Sequence, residues 1–162
     1  MEHGVVRVYY GEGRGKSTAA LGDAIRAACE GQNAIITQFL KKKEGEEEVE
    51  FLNRLEPEIM RFRFAKMEDC FDDLSENERR EESVNLVNGF HYGKKVVSTG
   101  ESTFVVFDEI LGLVDQGLIS VEMIQNLIDS KPEETTLIFT GRTLTDEIRN
   151  LADEVYHITS EK

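Results

Sequence analysis

Residues 5–18 read Val-Val-Arg-Val-Tyr-Tyr-Gly-Glu-Gly-Arg-Gly-Lys-Ser-Thr, an order suited to gripping a phosphate chain. An apolar run ending at Tyr10 breaks into alternate glycines, Gly11, Gly13 and Gly15, and Lys16-Ser17 then opens an alanine-rich stretch. Glycine is needed there because successive backbone N–H groups must curl around phosphate oxygens where a Cβ would obstruct. A helix starting at Lys16 adds unpaired N–H groups and a partial positive charge. In such a P-loop, Lys16 reaches the distal phosphates and the Ser17 hydroxyl ligates Mg²⁺. One position departs from the usual spacing: Tyr10 stands where a glycine is expected, five residues before Gly15. A glycine-rich turn with a chance lysine is the weaker alternative, because strand, glycines, Gly-Lys-Ser and helix follow in the required order.

Phe104-Val-Val-Phe-Asp-Glu109 is a short apolar run ending in two carboxylates, the form of a Walker B segment. A buried strand would deliver Asp108 and Glu109 to the carboxyl edge of a sheet, where a carboxylate can hold Mg²⁺. Either acid could instead cap the next helix.

The elements that must position these residues alternate between strand and helix. A helix from about Lys16 to Glu30 carries Ala20, Leu21, Ala24, Ile25 and Ala28 at helical spacing and stops at Gly31. Residues 34–39 read as a buried strand, and the charge run 41–50 reads as a solvated, mobile loop. Residues 59–64 alternate, Met60, Phe62 and Phe64 on one face and Arg61 and Arg63 on the other. Ser75 and Glu78 form a capping box opening a helix to about Lys95, with Val84, Val87 and His91 on one side. After the Walker B strand, a helix from Ser120 buries Val121, Ile124, Leu127 and Ile128. Residues 136–140 form a strand running into Gly141-Arg142, Leu144 to Ala152 mark a helix, and residues 155–158 suit a last strand. Such alternation implies an α/β fold, a mostly parallel central sheet of about five to six strands with helices on both faces. Residues 1–162 read as a single P-loop nucleotide-binding domain.

Apolar residues at 40% and charged residues at 31% indicate a folded, soluble chain. No apolar stretch approaches the roughly 20 residues that span a bilayer. The N-terminus leads straight into the first strand, so no signal peptide is expected and the location is expected to be cytoplasmic. Cys29 and Cys70 lack metal-ligand spacing, and the three histidines are scattered. A net charge of −13 argues against a nucleic-acid partner. Local cations at Arg14, Lys16 and Arg142 must then act against an unfavourable field, which bound Mg²⁺ would offset. The acidic stretches 44–50 and 68–82 do not suit a phosphate-enclosing kinase lid, and no Asn-Lys-x-Asp guanine motif is present.

The ordered motifs resemble those of the ATP:corrinoid adenosyltransferases. Gly11-Glu-Gly-Arg-Gly-Lys-Ser-Thr-Ala-Ala20 is similar to that family's phosphate loop, which also departs from the strict spacing where Tyr10 stands. Gln38-Phe-Leu-Lys41, Val105-Val-Phe-Asp-Glu-Ile110, Gly117-Leu-Ile-Ser120 and Thr140-Gly-Arg142 with Leu151-Ala-Asp153 resemble its further segments. The resemblance implies a three-layer P-loop NTPase-like (RecA-like) fold. It implies ATP, Mg²⁺ and a corrinoid, cob(I)alamin or a precursor, with Co(I) attacking the 5′-carbon of ATP and triphosphate leaving. It also implies a homodimer, a flavoprotein reductant and no membrane partner. Residue by residue, it gives nucleotide and corrinoid contacts at Gly11, Glu12, Gly13, Arg14, Gly15, Lys16, Ser17, Thr18, Gln38, Phe71 and Arg142. Ser17, Asp108 and Glu109 become metal ligands, and Lys16, Glu109 and Arg142 the catalytic set. Gln38 as a strand-end polar group and Arg142 as a partner of a surface acid are the structural alternatives.

Two departures stand out. The family's Gly-Phe-Thr-Trp-like segment corresponds to Asp69-Cys-Phe-Asp-Asp73, and the chain has no tryptophan, leaving Phe71 either against the corrin face or in the core. The chain also begins without the family's N-terminal arm and ends at Lys162 without its C-terminal extension. The competing expectations are a P-loop ATPase or phosphotransferase with Glu109 orienting water, and a nucleotide-dependent binding protein.

Overall fold

The apolar runs pair side by side into a parallel sheet whose central members are buried on both faces. The computed structural model describes residues 3–40 and 45–162. Its strands are β1 (Val6–Tyr10), β2 (Ala34–Gln38), β3 (Ile59–Arg63), β4 (Phe104–Asp108), β5 (Thr136–Gly141) and β6 (Glu154–His157). They form one six-stranded sheet in the order β3-β2-β4-β5-β1-β6. Every neighbouring pair is parallel, so the expected mostly parallel sheet is wholly so. All five residues of β2 and of β4 are buried. Their alternation feeds two cores: Phe104 and Val106 pack on one face, Val105 and Phe107 on the other.

Helix α1 (Lys16–Cys29) covers the first face through Ala20, Ala24 and Ala27, small residues that let it lie close on Val106 of β4 and Ile138 of β5. It ends at Gly31 in the left-handed region, as the sequence indicates. That close crossing brings the start of α1 to the end of β4.

The charge run is where the fold departs from expectation. Helix α2 (Glu46–Asn53) occupies the part of it read as a loop, while residues 41–44 lie outside the described residues. Glu46, Glu47 and Glu48 fill its first turn, where carboxylates interact favourably with the helix dipole.

Helix α3 (Glu76–Thr99) starts at the Ser75–Glu78 capping box and continues past Lys95 to Gly100. Its buried stripe is Glu82, Leu86, Gly89, Phe90, Gly93, Val96 and Val97, and the Val84–His91 stripe is not the one it buries. Val84 is 60% exposed. Both stripes have helical spacing, but the glycines decide which one packs. A Cβ at Gly89 would stand 2.3 Å from Phe64 Cγ, and one at Gly93 would stand 2.5 Å from Phe107 Cε1. Helices α4 (Ile110–Asp115), α5 (Val121–Asp129) and α6 (Asp146–Leu151) complete the cover, and α4 has no counterpart in the sequence reading. Ser120 and Thr145 cap α5 and α6 with their hydroxyls.

On the side of β1 that faces α1, Arg7 and Tyr9 form a small charged network. Arg7 bonds Asp23 at 3.0 Å and Glu154 at 3.1 Å, and the Tyr9 hydroxyl donates to Asp23. Burial first, and then the bond to Asp23, keeps Tyr9 protonated well above the usual phenol range. This network ties β1, α1 and β6 together below the phosphate loop. Cys29 and Cys70 are exposed free thiols. Among the described residues, no helix is long and apolar enough to cross a membrane.

The tight contact of α3 on β4 gives a direct test. Gly93→Ala must displace the Phe107 ring from a filled core, at a cost of about 1–3 kcal/mol in urea unfolding. Unchanged stability would mean that α3 does not approach the sheet this closely.

Candidate active site

The three loop glycines have different tasks. Gly11 N–H donates to Gly141 O at 3.1 Å and Gly13 N–H to Ile158 O at 3.0 Å, so both amides tie the loop to the fold. Gly11 has a φ of 130°, and a Cβ there would meet Ile158 O at 2.2 Å. Gly15, the N-cap of α1, has a φ of 109° and open space around it. Among the described residues, no hydrogen bond engages the amides of residues 14–18, which cluster at the helix start. The Glu12 and Arg14 side chains are exposed. Lys16 Nζ donates to Gly13 O at 2.8 Å, folded back over the loop.

Tyr10 does not obstruct the loop. Its ring stacks on His157 at 4.5 Å, and its hydroxyl accepts from Arg149 at 3.2 Å, drawing it towards β6.

Asp108 sits at the end of β4 and is only 2% exposed. Its Oδ1 accepts from Ser17 Oγ at 2.8 Å and from Thr140 Oγ1 at 2.8 Å. Thr140 Oγ1 in turn accepts from Glu109 N at 2.7 Å. The Ser17–Asp108 oxygen separation is close to the edge of an octahedral oxygen shell around Mg²⁺, about 3 Å for ligands at 2.0–2.1 Å. The pair therefore fits a Mg²⁺ ion by distance and by donor chemistry. Ser17, Thr18, Gln38 and Asp108 line one cavity of about 110 Å³, together with Arg61 and Glu48.

Glu109 faces elsewhere. Its φ of 67° makes it the one non-glycine residue with positive φ among those described. It occupies the N-cap position of α4, yet its side chain makes no capping bond, so neither acid caps the helix. The side chain lines a second cavity of about 220 Å³, with Phe71, Arg142, Cys70 and Gln116. Phe71 is 8% exposed: it belongs to the core and also lines this cavity, with Arg79 5.5 Å over its ring. Asp108 and Glu109, adjacent in sequence, thus serve two cavities on either side of the β4 terminus. The remaining loop residues, Lys16 included, line neither.

The sequence reading misses two positioning residues. Thr140 supplies the second hydroxyl on Asp108. Glu82, buried on α3, accepts from the amides of Lys66 and Met67, both at 2.9 Å, and from Asn85 at 3.1 Å. It thereby pins the segment that leads to Phe71. The available signal was a lone acid four residues before Leu86 on the glycine-bearing stripe of α3.

A family model described as ATP:corrinoid adenosyltransferase BtuR/CobO/CobP matches residues 2–162. The chain belongs to this family. Among curated relatives, "Corrinoid adenosyltransferase CobA" of Salmonella typhimurium is 31% identical over 156 residues, covering 95% of this chain and 76% of that protein. The corrinoid adenosyltransferase of Escherichia coli K12 is 28% identical over the same shares. A Nostoc protein, all2391, is 30% identical over 93% of this chain and 42% of its own length. Among solved structures, the KaiC-like protein PH0186 of Pyrococcus horikoshii aligns with a TM-score of 0.64 at 16% identity. It covers all of this chain and 76% of that one. This likeness places the adenosyltransferase chain in the P-loop NTPase-like, RecA-like fold.

The pinning role of Glu82 makes an expected outcome. Glu82→Ala leaves the amides of Lys66 and Met67 without their acceptor and costs about 1–3 kcal/mol. Hydrogen exchange at those two amides should rise more than at the sheet amides; equal protection in both proteins would remove the role.

Proposed function

We propose that this chain moves the 5′-deoxyadenosyl group of ATP onto the Co(I) centre of a reduced corrinoid and releases triphosphate. The Co–C bond forms as the C5′–O bond breaks, and the departing electron pair stays on the triphosphate oxygen. The observation that carries this reading, beyond family membership, is the meeting of Ser17, Asp108 and Thr140 where α1, β4 and β5 converge.

In this reading the amides of residues 14–18 and Lys16 hold the triphosphate as a leaving group. Lys16 exchanges the Gly13 carbonyl for phosphate oxygens. Arg142, at the end of β5, serves as a clamp from the second cavity. Ser17 and Asp108 would hold Mg²⁺, which supplies charge neutralisation to the phosphates when bound. Glu109 turns away from that pair, and its left-handed backbone stores of order 1–3 kcal/mol, which supports a task in the second cavity. Phe71 offers that cavity an aromatic wall for one face of the corrin ring. Co(I) is itself the nucleophile, so the chain needs preorganised charge more than a general base. Residues 1–162 are read as one cytoplasmic domain, and the family resemblance supports a homodimer and a flavoprotein that reduces the corrinoid cobalt.

Chemically reduced corrinoid, ATP and Mg²⁺ should yield the light-sensitive Co–C product and one triphosphate per turnover, with the reaction lost on chelating Mg²⁺. Formation of ADP and phosphate alone would overturn the proposal in favour of phosphoryl transfer.

Lys16→Ala removes a charge-assisted phosphate contact, roughly 1.5–3 kcal/mol, or about 10- to 150-fold in ATP affinity. Calorimetric titration with ATP checks this, and an unchanged affinity would mean the loop does not grip the nucleotide through Lys16.

A further inference from the structure

Strand β3 sets a second group of cations beside the nucleotide crevice. Met60, Phe62 and Phe64 pack on the core, so Arg61 and Arg63 project from the opposite face. With Lys66 they line a groove of about 320 Å³ that also takes in Gln38 and Asn53. Among the described residues no carboxylate lines this groove, although the chain carries a net charge of −13; Glu48 lies in the adjoining cavity.

Arg63 is anchored at one wall of the groove. One terminal nitrogen donates to Met67 O at 3.0 Å, within the segment that Glu82 pins. Its Nε is buried and, among the described residues, has no hydrogen-bond partner.

The groove is also well placed. Arg63, Gln38 and Asp108 are register partners across β3, β2 and β4. Neighbouring strands lie about 4.8 Å apart, so the Arg63 backbone stands about 10 Å from that of Asp108. Gln38 and Arg61 line both the groove and the Ser17–Asp108 cavity, which makes the two continuous. The triphosphate has its own cations, Lys16 at the start of α1 and Arg142 just past β5. The other substrate is a broad ring whose peripheral arms end in carboxamides or, where not amidated, in carboxylates. Guanidinium forks match carboxylates in bidentate geometry and gain less from amides.

We propose that the Arg61–Arg63–Lys66 groove binds carboxylate arms at the corrinoid periphery. The chain is then selective for a corrinoid acid over its fully amidated counterpart. This inference rests on the adenosyl-transfer reading above, which it deepens.

Two corrinoids differing only in carboxylate or primary amide arms provide the test. Their Co(III) forms are measured by equilibrium dialysis, their reduced forms by turnover. Wild type should bind the acid at least about tenfold more tightly, and Arg63→Gln should bring the ratio of the two Kd values close to one. Lys66→Gln, at an exposed position that leaves the fold intact, should shift the ratio in the same direction by a smaller factor. Equal binding of acid and amide by wild type would overturn the inference, as would an unchanged ratio in both variants. So would a raised KM for ATP with an unchanged ratio, which would assign the groove to the triphosphate. If neither corrinoid is adenosylated while acid binding still depends on Arg63, the reaction reading fails and the anion groove stands.

Discussion

A single carboxylate oxygen organises the reactive end of this molecule. Asp108 is buried, and a buried carboxylate is tolerated only when it is hydrogen-bonded. Its Oδ1 takes one hydroxyl from the first turn of α1 and one from the carboxyl end of β5. Those bonds fix where the phosphate loop ends relative to the Walker B strand. The same threonine hydroxyl captures the Glu109 amide, and the chain leaves β4 with a left-handed residue. Two adjacent acids are thereby sent to two different cavities. One side suits a cation and phosphates, the other an aromatic-walled ligand surface.

The electrostatics follow from this layout. The chain is strongly acidic, yet Lys16, Arg142, Arg61, Arg63 and Lys66 lie around the carboxyl ends of the parallel strands. Open α/β sheets bind ligands at that edge. Net charge therefore reports on solubility and non-specific partners, while the local field at the crevice depends on which strand ends carry the cations. Glu82 illustrates the same separation. Buried on α3 and lining neither cavity, it acts by holding the main chain of residues 66–67.

Much of this was readable from residue order alone. The P-loop, the Walker B strand, the Ser75 capping box and the alternation of β3 are local signals, each carried by a few consecutive residues and their periodicity. The family resemblance came from the same local segments. The errors were also physical. The helix at 46–53 hides in a charge run because its glutamates favour a helix start, which composition alone reads as solvated coil. The side of α3 that carries Val84, Val87 and His91 is not the one that packs, because close approach to Phe64 and Phe107 requires the stripe with Gly89 and Gly93.

Short-range chemistry, then, is written in the chain: which residues can hold phosphate, where strands and helices begin, and to what family the whole belongs. Pairing across distance is not. Thr140 joins Asp108 because β5 lies next to β4, and Arg63 aligns with Gln38 and Asp108 through the register of β3, β2 and β4. The left-handed turn at Glu109 and the separation of the two cavities depend on those neighbours as well. No spacing in a one-dimensional string specifies which strands become adjacent. That choice is made when the apolar faces are buried together, and it places the functional groups.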